Sequence, residues 1–252
     1  MQNSRTSPMK RTYADLHLRV NTKDTAITTR TIQKAAALGY KLIATPFHPQ
    51  ALPEENLNLQ DACKQAGLDY VSRVDLRPRN QNELLSQLRK LRRKFEIICV
   101  LCETKEVARQ AAKDRRVDLL NFPMLDYRDR FFDRAEAELA SSSLATLELD
   151  IKPLLVLEGP ARIRFLSGLH RETQIAKDYH MSIVVSSGVS DPMHLRKPRE
   201  MAALASLFGL EGTLALEAVS QNPTGIVKRN REKLSAKFVA PGIRVVKEGK
   251  DC

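Results

Sequence analysis

Short apolar runs alternate with helical patterns along most of the chain. Residues 13–18 form a first apolar run, and 25–38 follow with Ile32, Ala35, Ala36 and Gly39 at helical spacing. The alternation continues with strands predicted at 41–45, 70–76, 97–101, 117–122, 147–151, 183–186 and 213–216. Helices are predicted between them, at about 57–66, 84–95, 105–113, 135–140, 161–179 and 201–208, and a last one opens at Asn222-Pro223. Proline fits there because a first-turn position needs no amide donor. The third helix carries the plainest pattern: Leu84, Leu88, Leu91 and Phe95 make one stripe, and Arg89, Lys90, Arg92, Arg93 and Lys94 crowd the remaining surface. Asn80 and Glu83 ahead of that stripe have the spacing of a capping pair.

Strands that alternate with helices pair in parallel through right-handed crossovers. Eight such units in 252 residues match the size of a (β/α)8 TIM-like barrel. The whole chain, 1–252, is predicted to be a single barrel domain, with terminal extensions at 1–11 and about 238–252. The second extension is basic and contains Ile243, Val245 and Val246. A doubly wound open sheet is the alternative, but no Gly-x-Gly-x-x-Gly or P-loop follows a strand, which lowers the weight of nucleotide-binding versions.

Charge narrows the class of partner. There are 41 Lys and Arg against 30 Asp and Glu, a net charge of +11, which favours a polyanion. Tryptophan is absent and aromatics make up 5%, so contacts to phosphates are favoured over stacking on bases. No apolar run is long enough to span a bilayer, and residues 1–10 have no signal-peptide pattern, so no membrane partner and a cytoplasmic location are expected. Cys63, Cys99, Cys102 and Cys252 are too sparse for a disulfide scaffold. Cys99 and Cys102 have a metal-pair spacing, but residues an odd number apart on a strand face opposite sides, so both read as buried structural residues.

In a barrel the residues just after each strand form one rim, where chemistry gathers. Here they include Asp15, His17, Arg19, Phe47, His48, Arg77, Arg79, Asp126, Arg128, Arg130, Ser187, Asp191, His194, Arg196, Lys197, Arg199, Glu217 and Ser220. One reading of them is a metal site, with Asp15 and His17 on one strand face and His48, Asp191 and His194 converging. Asp15-Leu-His17 resembles the opening motif of the polymerase-and-histidinol-phosphatase superfamily, which are barrel metallo-phosphoesterases with His-x-His after strand one. Arg19 stands where the second histidine belongs, and Asp191 and His194 do not reproduce the family's late Asp-x-His. A guanidinium at a ligand position disfavours a metal ion. His170 and His180 read as packing or surface residues. Ser186-Ser-Gly-Val-Ser190 lacks the partners of a nucleophilic serine.

Two longer stretches carry a more specific resemblance. They are Ala111-Ala-Lys-Asp-Arg-Arg-Val-Asp-Leu-Leu-Asn-Phe-Pro123, and Val185–Asp191 with Leu195–Ala205, Ala218–Pro223 and Lys228–Leu234. Together with Asp15-Leu-His17 they resemble the ribonuclease P protein component 3 family, archaeal relatives of the eukaryotic thirty-kilodalton subunit, from about residue 13 to 246. The resemblance implies a barrel related to the phosphoesterase superfamily but without its metal catalysis. It implies a subunit of an endoribonuclease particle that removes the 5′ leader from precursor tRNA. There the RNA performs the hydrolysis with magnesium, and this chain binds no cofactor and carries no catalytic residue. The implied partners are ribonuclease P RNA, protein component 2, the other protein subunits and precursor tRNA as the particle's substrate. The RNA-binding candidates are Arg77, Arg79, Arg115, Arg116, Arg196, Lys197, Arg199, Lys228, Arg229 and Arg231. The competing function is a metal-dependent phosphoesterase of the superfamily type, and an ordinary small-molecule barrel enzyme is a third.

Overall fold

The computed structural model describes residues 11–21, 24–47, 53–123, 131–240 and 243–244. The first element is β1 (Ala14–Asp15), then α1 (Thr25–Ala37), β2 (Leu42–Phe47), α2 (Pro53–Gln65), β3 (Asp69–Leu76) and α3 (Gln81–Leu91). These are followed by β4 (Ile97–Leu101), α4 (Lys105–Lys113), β5 (Leu119–Asn121), α5 (Arg134–Ser143) and β6 (Thr146–Asp150). Two helices, α6 (Lys152–Val156) and α7 (Gly159–Asp178), lead to β7 (Ile183–Ser186). A 3-10 turn at Pro192–His194 and helices α8 (Pro198–Ser206), α9 (Gly212–Ala218) and α10 (Gln221–Leu234) complete the barrel, and a hairpin of β8 (Phe238–Ala240) and β9 (Ile243–Arg244) follows.

The helices start where local chemistry says they should. Asp24 accepts the Ile27 amide ahead of α1, and Thr104 accepts the Val107 amide ahead of α4. Asn80 accepts the Glu83 amide at 3.0 Å, as the capping pair predicts, while the Glu83 carboxylate reaches one residue further back, to the Arg79 amide at 2.9 Å. Leu84, Leu88 and Leu91 of α3 are buried, so the sequence stripe is the packed face.

Among the described residues the sheet has seven parallel strands in the order β1-β2-β3-β4-β5-β6-β7. Its inner face and α10 share one apolar cluster: Ala14, Leu16, Leu42, Ala44, Val71, Ile97, Cys99, Leu101, Leu119, Val184, Ile226 and Val227. A larger cluster lies between the outer face of β3–β7 and the helices, and a third lies under α1 and α2. Strands covered on both faces read as continuous apolar runs, which is why they were visible in the sequence. Cys99 belongs to the inner cluster and Cys102 to the outer one, so the two sulfurs diverge as expected.

The predicted eighth strand is overturned. Residues 213–216 lie inside helix α9, where Ala215 and Ala218 are buried at a spacing of three and Leu214 is exposed. Thr-Leu-Ala-Leu-Glu-Ala is rich in strong helix formers, and its burial follows the helical period rather than the strand period. The seam left between β7 and β1 is closed by separate backbone contacts. Val219 accepts the Ala14 amide at 3.1 Å, His17 accepts the Gly188 amide at 3.0 Å, and Val189 accepts the Arg19 amide at 2.9 Å.

Helix α10 plugs the end of the barrel where the strands begin. Asn222 Nδ2 donates to the carbonyl of Ile183, and Asn230 Nδ2 to that of Glu96. Around them, Arg231 pairs with Asp69 and Glu96, and Arg229 lies 3.5 Å from Asp118. Each of those acceptors stands at or just before the start of a strand.

Candidate functional site

The other end of the barrel is filled by charge. Strand β6 places Glu148 and Asp150 on one face, and β3 does the same with Arg73 and Asp75, because residues two apart on a strand point the same way. The Arg73 guanidinium is fully buried and grips Glu148 with two bonds, of 2.6 and 2.7 Å. Its remaining donors reach Asp75 Oδ1 at 2.7 Å and the Leu16 carbonyl at 2.6 Å. Such a bidentate pair is the strong form of a buried ion pair when further hydrogen bonds satisfy the guanidinium, and here two more do. Glu148 also accepts from Ser186 Oγ at 2.8 Å and Asn121 Nδ2 at 3.0 Å. Asn121 bridges on to Asp150 at 3.1 Å.

His17 sits at the centre with no exposed surface. Its Nδ1 lies 2.8 Å from Asp150 Oδ1, and its Nε2 accepts from Arg19 Nε at 2.9 Å. Acceptance at Nε2 puts the ring proton on Nδ1, directed at Asp150. Burial works against a charged His17, but the Asp150 carboxylate outweighs it and carries the pKa above the ordinary histidine value. The buried Arg73 guanidinium pulls the other way, and protonation at Nε2 would break the Arg19 bond and turn that N–H toward Asp75 Oδ2, 3.5 Å away. Burial likewise opposes ionisation of Glu148, yet Arg73, His17 and the hydrogen bonds to Glu148 overcome it and hold the carboxyl far below its usual range.

His17, Glu148 and Asp150 are the one group, among the described residues, whose ligand-type atoms come close enough to hold a metal ion. The superfamily resemblance implies such an ion, but the donor set does not fit it. Glu148 is clamped by Arg73, and the free nitrogen of His17 is taken by Arg19. Two guanidinium groups supply the positive charge that a cation would otherwise bring.

Asp15 does not join His17 in that group: the strand ends at Asp15 and the chain bends at Leu16. Asp15 instead accepts the amides of His17 and Ser187 and pins the seam; burial pushes its pKa up while those bonds restrain it. Asp191 and His194 do not join the cluster either: Asp191 caps the 3-10 turn, and His194 lies 4.0 Å from it. His48, Asp126, Arg128 and Arg130 lie outside the described residues. Gly188, with φ of +64°, passes over Asp150 so closely that an added Cβ would stand 2.8 Å from its Cγ.

The basic candidates fall into two sets. Arg79, Arg115, Lys197, Arg199 and Lys228 are exposed. Arg77, also exposed, pairs with Glu103 at 2.9 Å. Arg116 is bound to Asp114, Arg229 to Asp118 and Arg231 to Asp69 and Glu96, while Arg196 donates to the carbonyls of Met193 and Leu195. The segment after β7 leaves the rim and packs down the flank: Val189 and Leu195 enter the cluster beneath α1, and Tyr40 Oη donates to the Arg196 carbonyl. Arg196, Lys197 and Arg199 therefore belong to the flank rather than the rim.

The sequence reading missed Arg73, Asp75, Asn121, Glu148 and Asp150. The available signal was two charged residues, spaced by two, inside each of two apolar strands. A buried charge pair of that kind needs partners across the barrel.

Comparison with known proteins places this architecture. Residues 12–235 match the family described as RNase P subunit p30. A ribonuclease P protein component 3 from Methanosarcina barkeri is 33% identical over 215 residues, covering 85% of this chain and 87% of that protein. The Methanosarcina acetivorans protein of the same name is 32% identical, covering 84% and 86%. Among solved structures, a chain of an archaeal ribonuclease P with mature tRNA superposes with a TM-score of 0.82 at 20% identity, covering 94% of this chain and all of that one. A lactonase from Listeria monocytogenes shares the fold more loosely, with a TM-score of 0.53 at 10% identity.

Proposed function

The chain belongs to the RNase P subunit p30 family, and from that premise we propose that it supports RNA-borne removal of the 5′ leader from precursor tRNA by binding and stabilising the catalytic RNA. Its partners in this reading are ribonuclease P RNA, protein component 2 and the other protein subunits, with precursor tRNA as the particle's substrate and the cytoplasm as its location. No described helix is long and apolar enough to cross a membrane.

The observation that carries the reading is the mouth of the barrel. The place where a barrel hydrolase assembles its reacting groups is here a closed network of ion pairs, with Arg73 and Arg19 holding the would-be ligands. The chain itself then needs no metal, and the magnesium of the reaction belongs to the RNA. What remains for the protein is its net charge of +11. Neutralising phosphates with Lys and Arg releases counterions and gives affinity independent of sequence. Arg79, Arg115, Lys197, Arg199 and Lys228 present exposed head groups for this role, with Arg77 beside them. Arg116, Arg196, Arg229 and Arg231 first hold the protein together and offer only their remaining donors.

The test is gentle purification of the tagged chain from its own cells, followed by precursor-tRNA cleavage with and without nuclease digestion of the preparation. Magnesium-dependent cleavage that disappears on digestion is expected. Activity that survives digestion, together with stoichiometric metal lost in a His17→Ala variant, would overturn the reading in favour of a metal-dependent phosphoesterase.

A further inference from the structure

A second concentration of charge lies away from the mouth, at the end of the barrel plugged by α10. The end of α3, the turn between α4 and β5 and the last turn of α10 meet there around a cavity of about 640 Å³. Its walls carry Arg92, Arg93, Arg115, Arg116 and Lys233, and residues 234–236 with Phe238 and Val239 close one side. Two carboxylates serve this cluster. Asp118, almost fully buried, is shared by Arg92 and by Arg229 from α10, and Asp114 is taken by Arg116. Arg92 spends its other donors on the carbonyls of Phe95, Glu96 and Arg116. These contacts fix the frame of the cleft and leave neither carboxylate free. Arg93, Arg115 and Lys233 are exposed, and among the described residues no carboxylate lies within ion-pair distance of them.

We infer that this cleft is a binding site for an RNA phosphate backbone, contacted by Arg93, Arg115 and Lys233 and framed by Arg92 and Arg116. The inference deepens the RNA-binding reading above and rests on it. Six cations, counting Arg229, face two carboxylates from three separate elements. Convergent like charges repel, and a ligand bearing successive negative charges relieves that repulsion. Burial depresses the Lys233 pKa first, and the nearby Arg229, Arg92 and Arg115 depress it further against the pull of Asp118. A bound phosphate would reverse that effect. Among the described residues Phe238 is the one aromatic that lines the cavity, so the site grips the backbone rather than stacking bases. It is also separate from the flank cations. The cleft opens beside the starts of β4 and β5, whereas Lys197 and Arg199 follow the β7–β1 seam on the other side of the barrel order.

The test uses the full chain together with its co-purifying protein partners and ribonuclease P RNA transcribed in vitro from the same cells. Affinity is measured between 50 and 200 mM salt for the parent, for an Arg93→Ala, Arg115→Ala, Lys233→Ala variant, and for a Lys197→Ala, Arg199→Ala variant. Neither variant removes an ion pair among the described residues, so melting temperatures should match the parent. The cleft variant should weaken binding roughly tenfold or more and flatten the slope of log affinity against log salt by about 2–3. Parent-like affinity and slope in the cleft variant, with binding weakened in the flank variant, would exclude the cleft and leave the RNA-binding reading standing. No binding by the parent would remove both. Unchanged RNA binding with loss of a protein partner from the cleft variant would make that partner the occupant and overturn the proposal.

Discussion

The two ends of the barrel use the same residue types for opposite purposes. At the mouth, His17, Arg19 and Arg73 meet Asp75, Glu148 and Asp150, and the network is closed upon itself. At the plugged end, Asp69, Glu96 and Asp118 hold Arg231, Arg229 and Arg92, but the cations outnumber the carboxylates and a surplus remains open. The difference is burial. Inside the barrel an unpaired charge is so costly that each must find a partner. At the surface water tolerates the excess, and the excess can recruit a polyanion. A strand or helix rich in arginine is thus not evidence of a binding face until its partners are known.

The comparison breaks most readily at the mouth. Glu148→Ala leaves the buried Arg73 guanidinium without its main partner, and removal of one member of a buried pair costs about 3–5 kcal/mol. Urea unfolding should show that loss, and a loss below about 1 kcal/mol would mean that Arg73 finds compensation elsewhere.

Acid attacks the same pair. The Glu148 carboxyl is held down in the folded chain, whereas in the unfolded chain it takes up a proton near the ordinary glutamate value of about 4.3. The unfolded state therefore binds more protons below that pH. The stability from this group is complete above about pH 5 and declines as the pH falls toward the depressed folded value. Urea midpoints of the parent should fall more steeply between pH 5 and pH 3 than those of a Glu148→Gln variant. Parallel curves would show that the pair contributes nothing to acid sensitivity.

The smallest effect is expected at the other end. Arg231 is 40% exposed, and its pairs with Asp69 and Glu96 are screened by solvent. Arg231→Ala should cost about 1 kcal/mol, a typical upper value for a partly exposed pair, with RNA affinity little changed. A loss comparable with that of Glu148→Ala would mean that α10 depends on this arginine as the barrel interior depends on Arg73.

Periodicity and composition by themselves determined the order of strands and helices through β7 apart from the short α6, the packed stripe of α3, the divergent Cys99 and Cys102, and the basic character of the chain. These are local or additive properties, readable from neighbours a few residues apart. Tertiary structure alone decided the rest. Residues 213–216 are rich in helix formers, but that the barrel needs no eighth strand there is decided by the backbone bonds from Ala14, Arg19 and Gly188 that close the seam. Arg73 and Glu148, 75 positions apart, became partners because parallel strands bring their inward faces together. Whether an arginine is spent on the fold or left for a partner depends on which carboxylate stands opposite it. That pairing is set by contacts distant in sequence, and no local pattern records it.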